Sequence, residues 1–372
     1  MAGDAWAAVS SGMFTRKLLA RLTLMAALIT AAAPGRAQAW HESGHRIVAR
    51  IAWDDLTPTQ RDYVSELLLR HPRFSEDFAA RMPEAIKALP EGDAKRRQWV
   101  FNNAAIWPDL IKESVKELSK VVAAASEGPD RTAAERRLAE VKKYDNSSWH
   151  YDNEPIYVDP YALPAAPASK EPRPMGIQLA LPAVLREFAD PNLPAERRAV
   201  ALAWLIHLVG DSHQPLHSAA IFSAQYLPQG DLGGNRLLVT TPAARAVTTN
   251  LHAVWDGLFG SDAAAEPGLV KTVVAAHPRR TLQAELAVAA GSSLEWRIDR
   301  WLDESYRAAD RTVYDASIRT ALLTAPPPGT TTPSPVALDR GYMQAARTTA
   351  QRRVALAGYR LADCIGLVAP RQ

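Results

Sequence analysis

The chain has 372 residues, 22% of them charged and 47% hydrophobic, a length that suits one large domain or two ordinary ones. A single cysteine, Cys364, excludes an internal disulfide framework. The 43 basic and 40 acidic residues give a formal charge of +3, but four of those bases and one acid precede Trp40, so the chain from Trp40 onward balances at 39 of each and lacks an overall basic footprint for nucleic acid.

In chain order, Arg16, Lys17 and Arg21 precede the apolar run LTLMAALITAAA, which leads to the small-residue pattern Ala37-Gln38-Ala39. This is the layout of a secretory signal peptide over residues 1–39, and Met13 offers an alternative start with a more ordinary basic n-region. The run from Leu22 to Ala33 falls short of the roughly 20 apolar residues that span a bilayer, so no membrane anchor is expected. Export predicts a periplasmic or secreted protein. Cleavage after Ala39 would make Trp40 the N-terminus and put a free α-amine five residues from His45, a potential chelating pair.

Helical spacing dominates the chain beyond Trp40. RDYVSELLLRHP, AVALAWLIHLVGD, LEWRIDRWLDESYRAADRTVYDASIRTALL and YMQAARTTAQRRVALAGYRLADCIGLV all place apolar residues three and four apart, which predicts an all-α fold. The charged stretch 113–148 reads as one or two exposed helices forming a solvated flap inserted in a domain over 40–372. Strand signals are scarce: RLLVTT after GDLGG reads as half of a hairpin. APPPGTTTPSPVALD, residues 325–339, cannot continue a helix and reads as a surface loop, with a domain linker as the alternative. Asn146-Ser147-Ser148 matches the glycosylation acceptor pattern.

Chemistry concentrates in the histidines. His207 and Asp211 are four apart in HLVGDSHQPLH and so share a helix face, His217 follows Pro215, and His252 and Asp256 repeat the four-residue spacing in NLHAVWDG. Such pairs are also commonplace on helix surfaces. His207, however, lies among Trp204, Leu205, Ile206, Leu208 and Val209, and a buried imidazole beside a buried carboxylate needs compensation that a metal ion supplies. Mixed nitrogen and oxygen donors suit zinc better than calcium or magnesium. Two weaker fragments join them: Asp109 with Lys112 in WPDLIK, where the aspartate could instead cap its helix, and His150 in SSWHYDN, where the ring could instead be packed core.

Taken in order, WHESGH, WPDLIK, WHYDN, HLVGDSHQPLH, GDLGGN, NLHAVWD, WLDES and AGYRLAD resemble the zinc-dependent nucleases of the S1/P1 type across essentially the whole chain after residue 39. The resemblance implies one mostly helical domain around a cleft holding three zinc ions, a plan shared with the zinc-dependent phospholipases C. It implies one zinc on Asp109, His150 and His207, a second on the amine and carbonyl of Trp40 with His45, Asp211 bridging the two, and a third on His217, His252 and Asp256. Paired metals can activate a nucleophile and offset charge as phosphorus is attacked.

Lys112 matches a position usually held by arginine and is expected to offset phosphate charge with less geometric control than a guanidinium. Tyr151 matches an aromatic against which the family stacks a base, which any base can accept; packing beside His150 is the alternative. Asn153 falls among the catalytic and substrate-contact positions, where some fungal members carry aspartate, with Asp152 one place earlier. His41 and His213 are extra histidines, the latter expected behind the ligands or facing solvent.

The function implied is a secreted endonuclease that cuts single-stranded DNA and RNA to 5′-phosphorylated products and also acts as a 3′-nucleotidase. Single-stranded nucleic acid and nucleotides are then the partners, and no stable protein partner is expected. Two rivals remain: a zinc-dependent phospholipase C, whose relatives have a longer gap from tryptophan to the first histidine and glutamate at the place of Asp256, and a secreted zinc-binding protein without catalysis, which would need neither Lys112 nor Tyr151.

Overall fold

The structure, a computed structural model, describes residues 40–158, 175–242, 247–288, 292–324 and 334–369. The expected signal peptide and residues 325–333 of the proline-rich segment lie outside them. Helix α1, Glu42–Asp55, buries His45, Val48, Ile51 and Ala52 along one face, as their three- and four-residue spacing requires. Helix α2, Pro58–Leu68, begins at a reciprocal cap: Gln60 N–H donates to Thr57 Oγ1 at 3.3 Å and Thr57 N–H to Gln60 Oε1 at 3.0 Å. Asp93 caps α3, Ala94–Ala104, through its side chain as well.

Helices α4, Trp107–Ala124, and α5, Pro129–Lys142, pack on each other as a hairpin over the charged stretch. Only Trp107, Pro108, Asp109 and Ile111 of α4 are fully buried, with Val115, Leu118 and, from α5, Val141 also packed on the core, so the base of this hairpin belongs to the core while most of its charged residues are exposed. Asp109 falls in the first turn of α4 and does not cap it, because Ile106 holds the cap position. Helix α6, Ile177–Ala189, packs along α7, Ala195–Asp211, and α7 is buried on every side from Ala201 onward. Apolar residues all round are what a central helix requires.

Short strands come next in the chain. β1, Glu154–Tyr157, runs parallel to β2, Ala219–Phe222, while β3, Leu238–Thr240, pairs antiparallel with β4, Thr248–Asn250, and parallel with β5, Val336–Ala337. RLLVTT is thus one arm of a hairpin, and the end of the proline-rich segment supplies a third strand. Helix α8, Pro215–Ser218, precedes β2, and α9, Leu251–Asp256, comes directly after β4.

Helix α10, Glu266–Ala276, packs on α1. The long periodic stretch after Leu294 is two helices, α11, Leu294–Ala308, and α12, Ala316–Leu323, because the Asp315 carboxylate accepts from the Ser317 and Ile318 N–H groups and starts a new helix there. The last helix, α13, Arg340–Gly366, lies against α1 so closely that a Cβ on Gly358 would stand 2.6 Å from Ile51 Cβ. One apolar core joins α1, α2, α3, α6, α7 and the second half of α13; another gathers β2, β3, α9, α12 and the start of α13. Among the described residues no helix is long and apolar enough to cross a membrane.

Candidate metal centre

Helical periodicity stacks His207 and Asp211 one turn apart at the end of α7, with His207 Nε2 3.0 Å from Asp211 Oδ2. The chain then turns, and Pro215, which has no N–H to leave unpaired, opens α8 and carries His217 back toward the aspartate, with Nδ1 3.5 Å from Asp211 Oδ1. From α1, His45 stacks on the His207 ring at 4.0 Å and brings Nε2 within 3.4 Å of Asp211 Oδ1. His150 ends a short turn before β1 with Nδ1 3.0 Å from Asp211 Oδ2 and 3.9 Å from Asp109 Oδ1. His252 and Asp256 share the face of α9 at 3.2 Å.

Three groups of potential metal donors result: His45, Asp109 and His207; His150, His207 and Asp211; and His217, His252 and Asp256, the donor atoms within each lying no more than 4.8 Å apart. His45 therefore groups with Asp109 and His207, and Asp211 is central, touching four histidines. Trp40 is fully buried beside them and its indole N–H donates to Gly210 O on α7 at 3.2 Å. Gly210 is required there, since a Cβ would meet His45 Nδ1 at 2.7 Å.

Backbone carbonyls orient the rings. His207, His217 and His252 donate from Nδ1 to Ala105 O at 2.7 Å, His150 O at 2.6 Å and Gly233 O at 2.5 Å. Each bond fixes the tautomer and leaves the Nε2 lone pair free for a cation. Burial lowers His217 to about 3 and His252 to about 4, and burial with His207 lowers His45, so these rings are neutral. Burial would raise Asp211, but His207, His217 and the bonds from His150 and His207 hold it well below the usual carboxylate range. Burial, assisted by Asp109 and Asp211, raises Asp256 well above that range despite the bond from Gln214.

These residues fit zinc. Buried atoms without a hydrogen-bond partner include His45 Nε2, Asp109 Oδ1, His150 Nε2, Asp211 Oδ1, His217 Nε2 and Asp256 Oδ2. Buried polar atoms are normally paired, and a concentration of free acceptors in one place needs cations to compensate it. Neutral imidazoles with carboxylates are the donor chemistry that zinc accepts.

The other residues singled out by the sequence lie around this core. Lys112 stands half-buried on α4, with its charge acting on Asp109, His252 and Asp256. Tyr151 is 43% exposed beside His150, and Asn153 is half-buried, its Oδ1 3.5 Å from where a Cβ on Gly233 would stand. Asp152 is tied by its N–H to His217 O at 2.7 Å. His41 donates its backbone N–H to Asp256 O at 3.1 Å, and His213 is fully buried behind α7.

Gln214 carries no signal in the sequence. Its amide donates to Asp256 Oδ1 at 2.8 Å and accepts from Leu216 N–H at 2.6 Å, so one side chain caps α8 and aims the aspartate. The GDLGG loop does more than turn the chain: Gly233 orients His252, and Gly230, Leu232, Gly233 and Gly234 all have positive φ. Three glycines in so short a loop are a visible signal for a specified backbone.

Residues 40–369 match the family described as S1/P1 Nuclease. Two curated proteins of Arabidopsis thaliana, Endonuclease 3 and Endonuclease 5, are 45% and 41% identical over 59 residues. Each alignment spans 16% of this chain and 16% of the relative.

Proposed function

The chain belongs to the S1/P1 nuclease family, and from that premise we propose that it is a secreted zinc-dependent endonuclease, hydrolysing single-stranded DNA and RNA to 5′-phosphorylated products and removing 3′-phosphates from nucleotides. The observation that carries this reading is the set of unpartnered donor atoms that converge from His45 to Asp256 in three groups. The two groups that share His207 form one cluster, in which Asp109, His150 and His207 would hold one zinc and Trp40 and His45 a second with Asp211 shared, while the separate group of His217, His252 and Asp256 would hold a third. Bound zinc supplies Lewis acidity and positive charge where a phosphodiester would otherwise repel its nucleophile.

The protein's own groups do the rest. Asp211, held ionised by its histidines, supplies the shared negative charge and fixes the spacing between two sites. The Lys112 ammonium acts from α4 on Asp109 and Asp256 and offsets phosphate charge. Tyr151, exposed at the rim, offers a face on which a base can stack, and Asn153 beside it offers an amide to sugar or base. Stacking needs an unpaired base, which favours single strands. His207, His217 and His252 keep their Nδ1 protons, each donated in a hydrogen bond to a backbone carbonyl.

One experiment tests this. The protein beginning at Trp40 is analysed for metal and assayed in parallel on single-stranded DNA, RNA and phosphatidylcholine. About three zinc ions per chain, with nuclease activity lost to chelation and restored by zinc, is the expected result. Phosphatidylcholine cleavage without nuclease activity would replace the reading by a phospholipase, and zinc without either activity by a storage or structural protein.

A further inference from the structure

At the turn that follows α7, two arginines of α13 are buried to 4% and 2% exposure and share one carboxylate, Glu304 of α11. Arg360 meets both Glu304 oxygens at 2.7 and 2.8 Å, lies over the Trp301 ring, and donates from Nη1 to His213 Nε2 at 2.8 Å. His213 can accept there because its Nδ1 donates to Val209 O at 2.8 Å. Arg353 meets Glu304 at 3.0 Å, donates from Nε to His213 O at 3.2 Å, and bonds Ser305 Oγ, which itself donates to Ser212 O at 2.6 Å.

Three of these bonds end on the 212–213 turn, at His213 Nε2, His213 O and, through Ser305, Ser212 O, while Arg360 and Arg353 also donate to Glu285 O at 3.0 Å and Trp301 O at 3.1 Å. That turn joins Asp211 to Gln214, and Gln214 leads into α8 with His217 and aims Asp256. Two buried cations for one carboxylate are an expensive arrangement, and burial pulls Arg353 down to about 10. Well-packed apolar side chains would brace a helix at less cost. Charged hydrogen bonds do what apolar packing cannot: they fix direction as well as distance.

We propose that Arg353 and Arg360, bridged by Glu304, are positioning residues of the metal centre. They grip the 212–213 turn and so set the angle between Asp211 at the end of α7 and the His217 and Asp256 donors beyond it. The inference rests on the metal reading above and adds residues that touch no candidate ligand.

The test uses zinc-loaded protein titrated with a chelator, reading zinc retained per chain by atomic spectroscopy and helix content by circular dichroism. Arg360→Met, which keeps the stem on Trp301 but loses the charge, and Ser305→Ala should both release zinc at chelator concentrations about 10- to 100-fold lower than wild type, the loss typical when a group supporting a metal ligand is removed. Helix content should match wild type before release, and Arg360→Lys should recover part of the retention. Wild-type retention in both variants would overturn the proposal, as would loss of helix before any loss of zinc. Should Arg360→Met fail to fold, Ser305→Ala decides alone. A wild-type protein that holds no zinc would overturn the metal reading itself and this inference with it, an outcome distinct from variants that match a zinc-loaded wild type.

Discussion

His207 and Asp211 stand on a 17-residue helix sealed in the main core, whereas His217, His252 and Asp256 stand on helices of four and six residues beside a loop with four positive-φ positions. The first half of the centre gets its geometry from helix periodicity, where spacing alone puts two donors on one face. The second has one such pair, His252 and Asp256 on a single short turn of helix, and otherwise depends on individual backbone conformations and on Gln214 and Gly233, which reach across the chain to aim a carboxylate and a ring. The two halves should therefore fail differently. The helical half fails through charge and the loop half through backbone.

Asp211→Asn tests the charge side most severely, since it removes the carboxylate that touches four histidines. Activity should fall by roughly 1,000-fold or more, the scale of losing a major electrostatic stabiliser, and bound zinc and the melting temperature should fall with it. Full zinc occupancy would contradict the shared role. An uncleaved residue before Trp40 comes next. It turns the amine into an amide whose lone pair is delocalised into the carbonyl. Helix content should be unchanged and zinc per chain lower, with both zinc and activity restored by a protease cut that exposes Trp40; equal zinc before and after the cut would remove the tryptophan from the ligand set.

Gly233→Ala strikes the loop half. The residue sits at φ +61°, and a Cβ there would collide with Leu216 O. A cost of about 1–3 kcal/mol is expected for the strain, with zinc lost first from the site of His217, His252 and Asp256. Uniform loss from all sites would mean that the halves do not separate. Lys112→Ala should be milder, lowering kcat/KM by roughly 10- to 100-fold, as for one charge-assisted contact, while zinc content stays at the wild-type value.

The smallest effect concerns Asp231 of the GDLGG loop, which burial raises to about 6 although Tyr314 and Ile221 N–H donate to it. A carboxyl with a folded pKa above its unfolded one favours the folded state at low pH, and that contribution fades as pH rises from about 4 through 6. Asp231→Asn should thus raise the melting temperature by a few degrees at pH 7 to 8 and leave it unchanged below pH 4. A gain that persists at low pH would point to a cause other than ionisation.

Much of the helical half is legible in the sequence. The His207–Asp211 spacing, the apolar run around it and the tryptophan at the expected cleavage point are local patterns, and local patterns survive folding. The loop half is legible as residue types and as the four-residue spacing of His252 and Asp256, but not in how it is aimed. Nothing in HQPLH says that Gln214 will reach Asp256, 42 residues away, and the carbonyls of Ala105, His150 and Gly233 have no side chain to announce them. Strands of two to four residues are too short to show a period, and the break at Asp315 hides in a continuous apolar pattern because one carboxylate decides it. The grip of Arg353 and Arg360 on His213 is invisible for the same reason: helical spacing reports a face and says nothing of which turn, 140 or 147 residues earlier, that face will hold.

The close contact of Gly358 with Ile51 sets an order of events. Helix α1 carries His45 but finds its seat against α13, which is synthesised long after it. A chain that has emerged as far as residue 339 contains all nine candidate ligands and still lacks the surface on which the helix carrying His45 is seated. Long-range closure of this kind is slow relative to local helix formation. A chain that stops short of α13 would therefore carry the whole candidate ligand set without the means to align it, and hydrolytic competence would arrive only once α13 has docked on α1.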